Sequence, residues 1–158
     1  MPTLKILGAV LVLCVTALSA YRTTRLERAR LATLDAWLSL LYFVRGQIDC
    51  FARPLDEILL YADKSVLEAL GCCTAVPHLS TLLESSRERL DSETLHILKD
   101  LLGELGSTYR EEQVRRCDYY LKLLQAQRER ISAQLPARIK LCVTLHLCLA
   151  LGAAVVLW

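Results

Sequence analysis

RTTRLERARLATLDAWLSLLYFVRGQIDCFARP, residues 22–54, is the stretch whose reading decides the fold. After its arginines, Leu31, Leu34, Leu38, Leu41 and Ile48 recur at helical spacing and fall mostly on one face. Arg53-Pro54 ends the pattern, because the residue before a proline is pushed out of the helical region and Pro54 suits the first turn of a new helix. Nothing separates this helix from the apolar sequence before it, so the two can be continuous.

Working towards the C-terminus, Leu55, Ile58, Leu59 and Ala62 give the next helix its buried side. Gly71-Cys72-Cys73-Thr74-Ala75-Val76-Pro77 reads as a connector, and Leu79, Leu82 and Leu83 mark the helix after it. Asp91-Ser92 starts a further helix carrying Leu95, Leu98, Leu101, Leu102 and Leu105, which Gly106 is placed to end in a left-handed conformation. Thr108 with Glu111 fits a capping box. A long helix from about Tyr109 to Gln134 follows, with Val114, Cys117, Leu121, Leu124 and Ile131 on one side. On its surface Glu111 and Glu112 stand four residues before Arg115 and Arg116, a favourable order for ion pairs. β-branched alternation and hairpin dipeptides are absent, so residues 22–138 read as an all-α helical bundle, with Pro136 at its far border.

The two ends differ in kind. Ile6 to Tyr21 carries no charge, and with Leu4 and a snorkelling Lys5 it reaches the roughly 20 residues that a spanning helix needs. Leu141 to Trp158 is a second run without formal charge beyond a protonated His146. Arg22, Arg25, Arg28 and Arg30 follow the first run, while Arg128, Arg130, Arg138 and Lys140 precede the second. The positive-inside rule then puts the middle in the cytoplasm and both termini outside, with Trp158 at the far interface. The expected organisation is a transmembrane helix over 1–21, a cytoplasmic helical bundle over 22–138 and a transmembrane helix over 139–158, in contact with the lipid bilayer. The alternative is a secreted helical protein cleaved near Ala20, where Ala17-Leu18-Ser19-Ala20 offers small residues, and held by its C-terminal apolar segment. A small sensor is a third reading, but almost no extracytoplasmic sequence is left to hold a ligand.

Hydrophobic residues make up 54% of the 158-residue chain and charged ones 23%, so the two classes must be segregated. All seventeen acidic residues and seventeen of the nineteen Lys and Arg lie within 22–138, which is therefore formally neutral and ill suited to nucleic acid. Seven cysteines form an odd set without a CxxC, three of them (Cys14, Cys142, Cys148) within the apolar runs, as expected of reduced thiols in a cytoplasmic setting. Cys72-Cys73 with His78 lacks the two spaced ligand pairs of a metal cluster, and Cys142 with His146, one turn apart, reads as a helix contact rather than a ligand set. There is no phosphate loop, Ser-His-Asp set or HExxH. No catalytic, cofactor-binding or metal residue is expected, no small-molecule substrate, and the protein is not read as an enzyme. Tyr119-Tyr120 and Tyr42-Phe43 read as core or interface aromatics.

Taken in order, the pieces resemble the stage III sporulation protein AB family of endospore-forming bacteria. Leu4-Lys5-Ile6-Leu7-Gly8-Ala9-Val10 looks like the family's opening; Gln47-Ile48 followed by Pro54-Leu55 resembles its Glu-Ile and Pro-Leu elements; Leu105-Gly106, Arg110-Glu111 and Gln113 resemble a Leu-Gly-x-x-Asp-Arg-Glu-x-Gln stretch; Gly152 takes the place of a glycine in the terminal span. Gln47 stands for the usual Glu, Cys50-Phe51 for a Tyr-Gly pair and Tyr109 for the Asp. The resemblance implies a cytoplasmic part similar to the helical domain of type II secretion F proteins. It also implies a non-enzymatic platform role in the channel complex between mother cell and forespore, in the outer forespore membrane with the bundle on the mother-cell side. The implied partners are a sporulation secretion-type ATPase (stage III sporulation protein AA-like) and other membrane subunits of the channel. Arg45, Gln47, Arg53, Arg110, Glu111 and Gln113 are the candidate partner contacts.

Overall fold

The structure, a computed structural model, describes residues 2–51, 54–72, 78–106 and 109–157, excepting the side chains of 2–13, 56, 149–151 and 153–157. Its elements are α1 (Pro2–Phe51), α2 (Leu55–Leu60), α3 (Lys64–Ala69), α4 (Leu79–Ser86) with a 3₁₀ turn at Arg87–Arg89, α5 (Ser92–Glu104) and α6 (Arg110–Leu157). Among the described residues there is no strand, so the class is all-α. The chain divides into two compact units, Ala29–Ile131 and the pair of segments Met1–Arg28 and Ser132–Trp158.

The larger unit packs around α1. Leu34, Leu38, Leu41 and Ile48 are buried as the spacing predicts, and Leu31 is partly so. Trp37, Leu40 and Val44 are buried as well, which widens the stripe beyond a single seam. The width follows from α1 having neighbours on more than one side. Trp37 Nε1 donates to Ser86 Oγ of α4 at 3.0 Å, while the guanidinium of Arg45 reaches Asp118 of α6. Ser86 passes the bond on to the Leu82 carbonyl at 2.8 Å, so the buried indole leaves no donor unmatched. Ile58 and Leu59 of α2, Leu82 and Leu83 of α4, Leu98 and Leu101 of α5, and Cys117, Leu121 and Leu124 of α6 complete the core.

Local chemistry sets the short elements. The apolar run after Pro54 forms two helices: Asp63 leaves the helical conformation and accepts bonds from the Ser65 amide (2.9 Å) and hydroxyl (3.0 Å), starting α3 afresh. α3 closes in a Schellman turn: the Gly71 amide bonds the Glu68 carbonyl at 2.9 Å and the Cys72 amide that of Leu67 at 3.0 Å, with Gly71 at φ +87°. Asp91 caps α5 as the sequence predicts; Leu105 turns extended (φ −70°, ψ 136°) and ends the helix, and Gly106 after it takes the expected left-handed conformation at φ +90°. Residues 73–77 of the expected connector and Thr108 of the expected capping box lie outside the described residues.

α1 runs unbroken from the first apolar run into the bundle, a continuity the sequence leaves open, and the last helix, expected to run to about Gln134, continues through Pro136 to Leu157. The ring removes one amide donor, to the Ser132 carbonyl, but its fixed φ is already helical. The segment after it is pinned by Arg138, whose guanidinium bonds Gln134 at 3.0 Å and stands 3.9 Å from Glu27.

In the smaller unit the α1 and α6 segments run antiparallel, Ser19 meeting His146 and Glu27 meeting Arg138. The half-buried positions are Thr16, Ala20, Thr23, Thr24 and Glu27 on one helix and Ser132, Leu135, Ile139, Cys142 and His146 on the other, at alternating steps of three and four apart from Thr24. Large apolar residues point away from this seam: Val15, Leu18 (61% exposed), Tyr21, Leu26, Leu141 (71%), Val143, Leu145 and Leu147. Among the described residues no helix is long and apolar enough to cross a membrane. The expected spans fall largely on positions whose side chains lie outside the described ones.

Candidate functional site

Six residues are singled out by the sequence, and the structure distributes the five described ones over two places in the larger unit. Arg45 projects from α1 towards α6. Its Nε and Nη2 donate to the two oxygens of Asp118 at 3.0 and 3.2 Å, and Nη1 donates to Asp49 one turn along at 3.1 Å. This two-pronged geometry suits a planar guanidinium, and the Asp118 bond and charge hold Arg45 above its ordinary value. Gln47 is half-buried two residues on, and Arg53 lies outside the described residues.

Arg110 and Glu111 occupy the first turn of α6 and are exposed. Glu111 and Glu112 put negative charge where the free amides of a helix start favour it. Gln113 is partly buried and its amide donates to the Tyr109 carbonyl at 3.0 Å. Arg110 and Asp118 are eight residues apart, about 12 Å along α6, so Arg45 does not share a patch with the α6 start.

Sequence reasoning missed the network between these places. Arg116 bonds Glu112 at 3.0 Å and reaches Glu104 of α5 at 3.3 Å. Glu112 is the hub, receiving Arg115 as well; the Arg116 bond, followed by the Arg115 charge, outweighs desolvation and keeps its carboxyl below the usual range. Burial, then Glu104, pushes the Tyr120 hydroxyl up. Further along, Asp35 accepts from Arg128 at 2.7 Å, and Tyr42 accepts from Gln125. The i,i+4 spacing signalled the Glu112–Arg116 pair and could have signalled Arg45–Asp49. No local pattern reveals Arg45–Asp118, which joins positions 73 residues apart.

Cys117 beside this network is buried, and burial pushes its thiol up to about 11, the opposite of an activated nucleophile. Among the described residues no three His, Cys, Asp or Glu converge as metal ligands, and Cys73 of the vicinal pair lies outside them. A cleft of about 330 Å³ between α1 and the α2–α3 corner is lined by Leu40, Phe43, Tyr61 and Val66, with Asp63, the α3 cap, as its single charged group.

The described residues thus define an all-α protein whose long first and last helices are cross-braced by ion pairs within a leucine-rich bundle. Residues 5–158 match the family model for stage III sporulation protein AB, and the chain belongs to that family. No curated protein and no solved structure matches it. Its role lies in sporulation.

Proposed function

We propose that the protein is a membrane-anchored, non-enzymatic platform component of the channel complex between mother cell and forespore, whose bundle docks a secretion-type ATPase from the mother-cell side. The observation that carries the reading is the family match over residues 5–158. The smaller unit supports the anchor: its half-buried seam is small or polar at most positions, whereas large apolar residues face outward, an arrangement that suits lipid rather than water. On this reading both termini are extracytoplasmic and the arginine-flanked bundle is cytoplasmic. The docking surface is placed at the exposed start of α6, with Arg110 and Glu111 as contacts and Gln113 beside them. Arg45 serves by holding α1 against α6. Gln47 on α1 remains a contact of the same proposal, as does Arg53, which lies outside the described residues.

Co-purification of the detergent-solubilised full chain with the sporulation ATPase tests the docking. The expected result is retention that falls when Arg110→Glu and Glu111→Arg are introduced together, while an Arg45→Gln variant loses stability rather than contact. Failure of the unaltered chain to retain the ATPase would overturn the proposal. Retention untouched by the double variant would remove the α6 start from the interface.

A further inference from the structure

Charge is divided sharply between the two units. The segments Met1–Arg28 and Ser132–Trp158 hold six Lys and Arg against a single acidic residue, Glu27, whereas the remainder is net acidic. Five of the six bases come from residues 22–28 and 138–140. The antiparallel register that sets Ser19 against His146 and Glu27 against Arg138 places Lys140 level with Arg25. Arg22, Arg25, Arg28, Arg138 and Lys140 are therefore contributed by both helices within a band about 9 Å deep. All five are exposed. Glu27 stands near Arg138, and among the described residues no carboxylate pairs with Arg22, Arg25, Arg28 or Lys140.

The band borders the apolar outer face. Leu18 and Tyr21 precede it on α1, and Leu141, Leu145 and Leu147 follow it on α6, all exposed. Apolar side chains below, an aromatic at the edge and a ring of unpaired cations above match the depth order of acyl chain, interface and phosphate. Resting on the membrane reading above, we propose that this collar is a binding site for anionic phospholipid headgroups, taking phosphate oxygens on Arg22, Arg25, Arg28 and Lys140. Arginine predominates in it, and its planar fork suits bidentate phosphate contact.

The test uses the full chain in neutral detergent with an equimolar mixture of phosphatidylglycerol and phosphatidylcholine, bound lipid being counted by native mass spectrometry. Phosphatidylglycerol should be retained preferentially, the preference falling in high salt. Each basic residue near an anionic surface is worth roughly fivefold, so Arg22→Gln, Arg25→Gln and Arg28→Gln together should reduce the preference at least about tenfold. A control triple, Lys64→Gln, Lys99→Gln and Lys122→Gln, removes the same charge from exposed positions of the larger unit and should leave it intact. Equal retention of the two lipids, or equal loss in both triples, overturns the collar. Resistance of the chain to carbonate extraction, measured in parallel, reports the anchor separately: a chain that stays in the membrane without lipid preference sinks the collar and spares the anchor.

Discussion

Gly71 shows how much can rest on one hydrogen atom. Its φ of +87° lies where a Cβ is strained, and a Cβ built there meets the guanidinium of Arg89, itself bonded to the Ala69 carbonyl at 3.1 Å. Gly71→Ala is expected to destabilise the protein by about 1–2 kcal/mol. Gly46 is the converse, a helical glycine with open space around it, and Gly46→Ala should stabilise by about 0.5–1 kcal/mol. Urea unfolding of both variants checks the pair, and matching effects would contradict the assigned backbone. Glu112 gives a pH dependence. Its carboxyl is held below the unfolded value by Arg116, so its contribution is complete above the unfolded pKa and disappears as pH falls through the lower, folded one. Glu112→Gln should therefore lose stability near neutrality and show a flatter acid limb, as seen in unfolding midpoints between pH 3 and 7.

At the scale of elements, the start of α5 carries more than its own helix. Asp91 accepts from the Thr94 hydroxyl and from the side-chain amide of buried Gln127 at 3.0 Å, while Gln127 also reaches Glu93 at 3.2 Å. Asp91→Ala removes a cap and one of the two acceptors of a buried amide, a loss of about 1–2 kcal/mol. Asp91→Asn keeps an acceptor oxygen and should recover most of it; equal losses in thermal melts would mean that charge, not the cap, is what matters. The helices of the bundle were legible because leucine spacing records burial directly, as at Leu34, Leu38 and Leu41 or Leu98 and Leu101. The split between α2 and α3 was not, since it rests on an Asp63–Ser65 turn within an apolar pattern that continues past it. The unbroken course of α1 was left open by a sequence with no breaker over residues 22–30, whereas that of α6 was hidden, because a proline within a braced helix looks in sequence like one at its end. Of the candidate site, the helix start at Arg110–Gln113 could be read from local spacing. The Arg45 brace could not, because its partner is brought near only by the fold.

For the whole molecule, the division into two units makes their stabilities separable. Leu145 and Leu147 point outward from the smaller unit, while Trp37 reports on the core of the larger one. In a Trp158→Phe background, Leu145→Asn with Leu147→Asn should leave the Trp37 fluorescence melt within about 2 °C of the parent. The same change should lower the fraction of chain that resists carbonate extraction. A large shift in the melt would show that the units unfold as one.

The seam of the smaller unit ties together the two ends of the chain. His146 Nδ1 stands 2.7 Å from the Cys142 carbonyl, which can only accept, so Nδ1 donates there, and Nε2 stands 3.1 Å from the Ser19 hydroxyl. Half of that arrangement belongs to each end of the chain. Closing this unit therefore requires both ends of the chain, each helix supplying the polar atom that the other satisfies.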